Sequence, residues 1–155
     1  MTLRQAQITK EVEEARELFR EYQRSLGVDL CFQDFDREVA GLPGEYTPPS
    51  GRLLLCFLGD DLAGCIALRR IDPTTCEMKR LFVRPAFRGK HLGRKMAEAI
   101  ILEARGIGYK LMKLDTLPMM TEAIQLYISL GFKTTEPYRL NPVPGALFME
   151  LKLNP

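Results

Sequence analysis

A basic, glycine-containing turn between a strand and an amphipathic helix constrains the fold of this chain more than any other feature. Residues 75–83 predict a strand, which Pro85 ends. Leu92, Met96 and Ile100 then recur at helical spacing, so a helix with one apolar face follows the turn. A strand, turn and helix in this order begin a β-α-β unit, whose two strands pair in parallel through a right-handed crossover.

The turn at residues 88–94 holds two glycines, three basic side chains and a histidine. Backbone N–H groups at a helix N-terminus, together with cations, favour a phosphorylated ligand. The alternative is a solvated helix start with glycines for packing, although basic residues there oppose the helix dipole. The Walker spacing is absent because Arg84 stands where its first glycine should be and His91 follows Lys90. The dinucleotide pattern G-x-G-x-x-G is absent as well.

The remaining patterns predict one domain over residues 1–155, with a mixed α/β (α+β) fold. Apolar runs and turn residues place strands near 3–8, 52–58, 62–71, 75–83, 110–116, 132–134 and 146–153. Apolar stripes place helices near 9–26, 35–40, 92–107 and 119–130. Hairpins on either side of the β-α-β unit imply that most strand pairs are antiparallel.

Composition excludes several classes of protein. The net charge of +2 is too small for a nucleic-acid binder, and no apolar run reaches the roughly 18 residues of a membrane helix. The chain has four cysteines without a C-x-x-C pair and a single histidine, so we expect no metal site. Cysteines in apolar runs and an N-terminus without the apolar core of a secretory signal point to the cytoplasm.

Two motifs resemble the GCN5-related N-acetyltransferase (GNAT) superfamily. The turn is similar to its [QR]-x-x-G-x-[GA] signature, with Arg88, Leu92 and Gly93 matching and His91 in place of the central glycine. The segment 123–132, AIQLYISLGF, resembles the superfamily's A-x-x-L-Y-x-x-x-G-F helix end. The resemblance covers essentially the whole chain and implies a mostly antiparallel sheet of six to seven strands with about four helices. It also implies one central parallel pair whose strands splay apart.

The resemblance implies acetyl-CoA as the donor, with no metal. The main chain of Leu81, Phe82 and Val83 would then meet the pantetheine arm. The turn would bind the pyrophosphate through Arg88, Gly89, Lys90, His91, Leu92, Gly93 and Arg94. Another acyl-CoA donor, or a CoA-binding sensor without turnover, remains an alternative. A homodimer through the C-terminal strands is a further expectation from the resemblance.

Two residues are candidates for proton transfer during attack of an amine on the thioester. Glu77 lies where the superfamily often carries its base, and we expect burial to raise its pKa. The alternatives are a salt bridge to Lys79 or Arg80, or a position at the edge of the sheet. Tyr127 resembles the tyrosine that protonates the departing thiolate; the alternative is a core aromatic, since its spacing fits the apolar face equally well.

The acceptor site is the least specified part of the sequence. In the superfamily it lies between the loop after the first helix and the loop before the last strand, here residues 27–35 and 138–145. Asp29 and Phe32 in the first loop suit a cationic primary amine, of a small molecule or a protein, and Tyr138 begins the second loop. The alternative is that the first loop is simply solvated.

Overall fold

A computed structural model describes residues 1–27 and 34–153 of the chain. The strands are β1 (Thr2–Gln5), β2 (Arg52–Leu58), β3 (Asp61–Asp72), β4 (Thr75–Val83), β5 (Leu111–Thr116), β6 (Lys133–Thr134) and β7 (Leu147–Lys152). The helices are α1 (Thr9–Leu26), α2 (Phe35–Ala40), α3 (Leu92–Ile107) and α4 (Thr121–Ser129). Short 3-10 turns at Gly44–Tyr46 and Pro85–Phe87 were not predicted.

All seven described strands share one sheet, in the order β1-β2-β3-β4-β5-β7-β6. The pair β4 and β5 is parallel, and every other neighbouring pair is antiparallel. The parallel pair arises because α3 carries the chain from the end of β4 back to the start of β5. The predicted mixed fold, with its single parallel pair, is therefore confirmed.

Each face of the sheet buries its own apolar core. The α3 and α4 face packs residues such as Met96, Ile100 and Met112. The α1 and α2 face packs residues such as Phe19 and Phe35. The predicted buried thiols of Cys56, Cys65 and Cys76 are buried and free, and Cys31 lies outside the described residues. None of the helices in the described ranges has the length and apolar character needed to span a bilayer.

The sheet opens between β4 and β5. The two strands pair only from Thr75 with Leu111 to Glu77 with Lys113, although both continue further. β5 stays paired with β7 as far as Thr116, so the separation comes from β4 leaving β5. The predicted splay of the central parallel pair lies here.

A bulge in β4 accompanies this divergence. Ala67 pairs with Lys79 and Cys65 with Phe82, so β4 uses one residue more than β3 over the same interval. Within it, Arg80 has a φ of 59°, a left-handed conformation that costs a side-chain-bearing residue roughly 1–2 kcal/mol. The bulge bends β4 away from the register of β5.

Candidate active site

The basic turn forms the start of α3. His91 is the N-cap residue and has a φ of 61°, so it adopts the backbone conformation that glycine usually takes. The first helical hydrogen bond runs from the Lys95 N–H to the His91 carbonyl at 3.1 Å. The N–H groups of residues 92–94 therefore precede the helical ladder and can bind an anion.

Most of the predicted coenzyme residues line one groove between this turn, the end of β4 and the start of α4. The predicted coenzyme residues that line this groove are Leu81, Val83, Arg88, Gly89, His91, Leu92, Gly93 and Arg94. Lys90 is exposed and lies outside that lining. The ring of Phe82 lies on the opposite face of the sheet, edge-on to Tyr22 at 6.1 Å. Its predicted contact was through the main chain, and that contact stays a prediction.

Two of the cations at the turn contact protein groups. The Arg88 Nε donates to the Val83 carbonyl at 3.0 Å. The Arg94 guanidinium donates to the Ser129 hydroxyl at 2.8 Å and lies 3.4 Å from the Glu98 carboxylate. These contacts tie the turn to β4 and α4, which leaves the backbone N–H groups as the principal anion-binding feature.

A second cleft occupies the gap between the diverging strands. Its walls are formed by residues 78–81 of β4 and 114–117 after the parallel pairing ends, with Tyr22, Tyr127 and Asn141 contributed from elsewhere. Leu81 lines both this cleft and the groove at the turn. The cleft lies at the carboxyl ends of a parallel strand pair, where open α/β sheets commonly bind ligands.

Tyr127 reaches this cleft from α4. Its side chain is buried, and its ring lies 5.7 Å from the ring of Phe132. Burial raises the pKa of the Tyr127 phenol well above its ordinary value, and the nearby Tyr22 and Asp115 raise it further. The hydroxyl therefore stays protonated at working pH, while the ring also packs as a core aromatic.

Glu77 lies outside the cleft lining and is fully buried. One carboxylate oxygen accepts from Arg69 Nε at 2.7 Å and from Arg139 at 2.6 Å; the other accepts from the Tyr138 hydroxyl at 2.6 Å. Burial pushes the pKa of Glu77 upward, but Lys79, Arg69, Arg139 and the Tyr138 hydroxyl together bring it below its ordinary value.

The expectation of a raised pKa for Glu77 is therefore wrong, because three nearby cations outweigh the desolvation of the carboxylate. The salt-bridge alternative is favoured, because Arg69 and Arg139 bind the Glu77 carboxylate directly. Arg80 pairs instead with Glu38.

Tyr138 also has a different place from the one expected. Its hydroxyl donates to Glu77, and its ring packs edge-on against Phe148 at 5.5 Å. Tyr138 and Arg139 thus fasten segment 135–146, which joins β6 to β7, to the buried Glu77. The predicted acceptor residues Asp29 and Phe32 lie outside the described residues.

Four charged or amide side chains of the cleft were not predicted as site residues from the sequence: Lys79, Arg80, Asp115 and Asn141. The Arg80 guanidinium donates to both oxygens of Glu38, at 2.8 and 3.0 Å, and stacks 4.9 Å from the ring of Phe35. Consecutive cations in a buried strand were a usable signal, as was a lone carboxylate in β5. The bulge that directs Arg80 had no local signature, since glycine is absent there.

The described part of the chain contains no group of three or more histidine, cysteine, aspartate or glutamate side chains placed to hold a metal ion.

Comparison with known proteins identifies the family. The model of the acetyltransferase (GNAT) family matches residues 12–132. The chain belongs to this family. A protein of Schizosaccharomyces pombe described as an uncharacterized N-acetyltransferase is 40% identical over 149 residues, covering 95% of this chain and 91% of the relative. The predicted superfamily and the predicted class of enzyme, an N-acetyltransferase, are confirmed.

Two solved acetyltransferase structures share the fold over nearly the full chain. An acetyltransferase of Staphylococcus aureus superposes with a TM-score of 0.80 at 19% identity, covering 99% of both chains. A Salmonella typhimurium acetyltransferase, described with its cofactor acetyl-CoA, has a TM-score of 0.73 at 24% identity, covering 100% of this chain and 95% of that one.

Proposed function

We propose that this GNAT protein transfers an acetyl group from acetyl-CoA to a primary amine of a small-molecule or protein acceptor by direct attack. The observation that carries the proposal is that an anion-binding turn and a cleft containing Tyr127 meet at Leu81. A coenzyme bound along this path has its phosphates at the turn and its thioester in the cleft.

The pyrophosphate binds at the start of α3. The N–H groups of residues 92–94 and the positive end of the helix dipole face it, and His91 orients the turn through its left-handed backbone. The Salmonella typhimurium acetyltransferase that is described with acetyl-CoA supports this choice of donor.

The pantetheine arm lies along the unpaired edge of β4. β5 pairs with this edge only as far as Glu77, so beyond that residue the β4 peptide groups that face away from β3 are not paired with β5 and can meet pantetheine amides. The Val83 carbonyl already accepts from Arg88 Nε. The arm therefore lies beside β4 in part of the position that a neighbouring strand occupies in a continuous sheet. Its predicted contacts are the main-chain groups of Leu81, Phe82 and Val83.

The chemical step takes place in the cleft. The acceptor nitrogen attacks the thioester carbonyl carbon, the C–N bond forms, and the C–S bond breaks. The nitrogen loses one proton and the sulfur gains one, since CoA leaves as a thiolate with a free pKa of about 8.5. Because its pKa is raised, the Tyr127 hydroxyl remains a hydrogen-bond donor to the developing thiolate.

Glu77 in this proposal is a positioning residue. Its carboxylate is bound by Arg69, Tyr138 and Arg139 and holds segment 135–146 on the sheet. The role of Glu77 as the general base stays a prediction. Cytoplasmic location and a homodimer also stay predictions.

Thermal stability with CoA and with acetyl-CoA, followed by thiol release with a panel of amines, tests the proposal. We expect both ligands to stabilise the protein and at least one amine to release CoA thiol. Stabilisation without release from any amine would favour a CoA-binding sensor, and no stabilisation by either ligand would refute the coenzyme site.

A matched pair of glycine variants locates the coenzyme. Gly93 lies in the first turn of α3 and lines the groove, whereas Gly106 lies near the other end of the helix, with open space where a side chain would begin. Gly93→Asp puts a negative charge where the pyrophosphate binds, so we expect CoA affinity to fall at least about tenfold. Gly106→Asp should leave the affinity unchanged.

A further inference from the structure

A carboxylate lines the cleft from the β5 wall. Asp115 comes two residues after Lys113, the last residue of β5 that pairs with β4, so it lies where the two strands have separated. Tyr127, the proposed hydrogen-bond donor to the departing sulfur, lines the same cleft. Asp115 therefore shares one cleft with the site proposed for the thioester, where it can meet the acceptor.

The Asp115 carboxylate has a fixed orientation. The Asn141 side-chain N–H donates to Asp115 Oδ2 at 3.1 Å. The Asn141 side-chain carbonyl accepts from the Val143 N–H at 3.1 Å, so the amide cannot reverse without losing both bonds. The other oxygen, Oδ1, accepts no hydrogen bond from the described residues and does not belong to the buried polar atoms that lack a partner. Oδ1 is therefore open to a ligand in the cleft.

The described chain provides no ion-pair partner for this carboxylate. The two cations that line the cleft, Lys79 and Arg80, lie on the opposite wall, and Arg80 forms its ion pair with Glu38. Burial lowers the pKa of Lys79 to about 7, so its charge opposes a cationic ligand less as the pH rises above that value. Lys113 lies outside the cleft lining, with its Nζ 5.4 Å from the ring of Tyr138. A half-buried carboxylate without an ion pair favours a cationic ligand, because the attraction is stronger where water is partly excluded.

Asp115 is also the only acidic side chain among the described residues that line the cleft. Burial is the largest cause of the raised pKa of Tyr22 and of Tyr127, and the negative charge of Asp115 raises both further. The two phenols therefore stay neutral near neutral pH. Apolar side chains make up much of the remaining wall: Leu26, Met78, Leu81, Leu114, Leu117 and Met120. The cleft thus combines one anionic group with apolar surroundings.

We infer that Asp115 binds the amine of the acceptor as an alkylammonium ion and that Asn141 is the positioning residue that orients its carboxylate. The ammonium N–H donates to Asp115 Oδ1, and the carbon chain next to the nitrogen packs against the apolar side chains of the cleft. This inference rests on the proposed function and specifies its substrate class: a primary amine on a saturated carbon, which is protonated near neutral pH. It places charge recognition on β5, independently of Asp29 and Phe32.

Two amines of nearly equal shape test the role of the charge. Cyclohexylamine is protonated near neutral pH, whereas aniline is neutral. Each is assayed by thiol release from acetyl-CoA, or as a competitor of the alkylamine that turns over fastest in the amine panel. We expect cyclohexylamine to bind at least about tenfold more tightly than aniline or the neutral competitor cyclohexanol, because only the ammonium forms a charge-assisted hydrogen bond with the carboxylate. This comparison needs only the wild-type protein.

Asp115→Asn assigns the discrimination to one residue. Asparagine keeps the shape of the side chain and an oxygen that can accept from Asn141, so the fold should be retained. We expect KM for the alkylamine to rise by a factor of about 10–150, which corresponds to about 1.5–3 kcal/mol for a charge-assisted hydrogen bond. The affinities for aniline and CoA should change little, and so should kcat, because the lost contact binds substrate and transition state alike.

Glu150→Gln is the matched control for the loss of one negative charge. Phe148 is the β7 partner of Asp115, and Glu150 lies two residues further along β7, so its side chain is on the same face of the sheet. Glu150 does not line the cleft. Its replacement should leave KM for both amines unchanged.

A double-mutant cycle tests the positioning role of Asn141. Asn141→Ala should raise KM for the alkylamine by a factor of about 2–10 in the wild-type background, as expected for one lost hydrogen bond. In the Asp115→Asn background it should have no further effect, because no carboxylate remains to be oriented. An equal rise in both backgrounds would show a general loosening of segment 135–146 and contradict the positioning role.

An unchanged alkylamine KM in Asp115→Asn would overturn the inference, as would an equal loss of affinity for aniline. A fall in kcat without a change in KM would overturn it too, because Asp115 would then act in proton transfer and not in binding. In each of these cases CoA binds and an amine turns over, so the proposed function stands. Absence of CoA binding, or of thiol release with every amine, would instead refute the proposed function.

Discussion

Replacing Glu77 with glutamine separates a positioning role from a catalytic one. The carboxylate accepts three short hydrogen bonds, of 2.6 to 2.7 Å, from Arg69, Tyr138 and Arg139. Removing one partner of a buried ion pair costs about 3–5 kcal/mol. Glutamine keeps the shape and one acceptor oxygen, so we expect the free energy of unfolding to fall by about 2–4 kcal/mol. For a domain of this size the melting temperature should fall by roughly 5–15 °C.

The pH dependence of this loss has a definite sign. The folded-state pKa of Glu77 is lowered, so its charge stabilises the fold above the ordinary pKa of 4.5 and ceases to do so as pH falls through the folded-state value. The difference in melting temperature between wild type and Glu77→Gln should therefore be full at neutral pH. It should shrink as the pH falls below about 4.5.

Kinetics supply the decisive comparison. A loosened segment 135–146 displaces Asn141 from the cleft, so Glu77→Gln should raise the acceptor KM without changing the shape of the pH–kcat profile. Glu103→Gln is the control, since Glu103 pairs with Arg52 at 3.2 Å on the surface and is 43% exposed; it should cost less than about 1 kcal/mol. If Glu77→Gln keeps wild-type stability and acceptor KM but loses kcat at acid to neutral pH, the positioning role is refuted. Glu77 would then be the general base.

Three further perturbations address the other residues of the site. Tyr127→Phe should keep the melting temperature within a few degrees and lower kcat at least about tenfold; near wild-type turnover would leave Tyr127 as a core aromatic. His91→Gly should raise stability by up to about 1 kcal/mol, because glycine relieves the left-handed φ of 61°, with CoA affinity unchanged. His91→Ala, which keeps the strain, should show no such gain. Lys79 has a pKa of about 7 in the folded protein, against an ordinary value of 10.5, so the unfolded chain binds more protons between these two pH values. The melting temperature of the wild type should therefore rise with pH relative to that of Lys79→Met. A constant difference in melting temperature from pH 7 to 10 would contradict the lowered pKa of Lys79.

The elements and the coenzyme turn could be predicted because their signals are local. The glycines and helical spacing at residues 88–107 determine a strand–turn–helix unit within a short span. His91 was the ambiguous position, and the structure gives it the glycine conformation at the N-cap. One left-handed residue at a helix start is tolerated when its carbonyl accepts the first helical hydrogen bond.

The protonation state of Glu77 could not be predicted, because most of its hydrogen-bond partners are distant in sequence. Arg69 lies beside it through strand pairing, but Tyr138 and Arg139 come from a segment about 60 residues later. Burial alone raises a carboxyl pKa, and only the assembled set of cations reverses that direction. A charged residue in an apolar strand therefore identifies a polar site but leaves the protonation state of that site open.

The bulge at Arg80 links the coenzyme and acceptor sides of the cleft. Bending β4 away from β5 frees the strand edge proposed for pantetheine and separates Lys79 from Asp115. The cost of the left-handed Arg80 is offset by its two hydrogen bonds to Glu38 and by the Phe35 ring. Because α2 supplies both Glu38 and Phe35, this helix stabilises the very distortion that opens the sheet. The free edge of β4 and the cleft beside it thus depend on the contacts that α2 makes with Arg80.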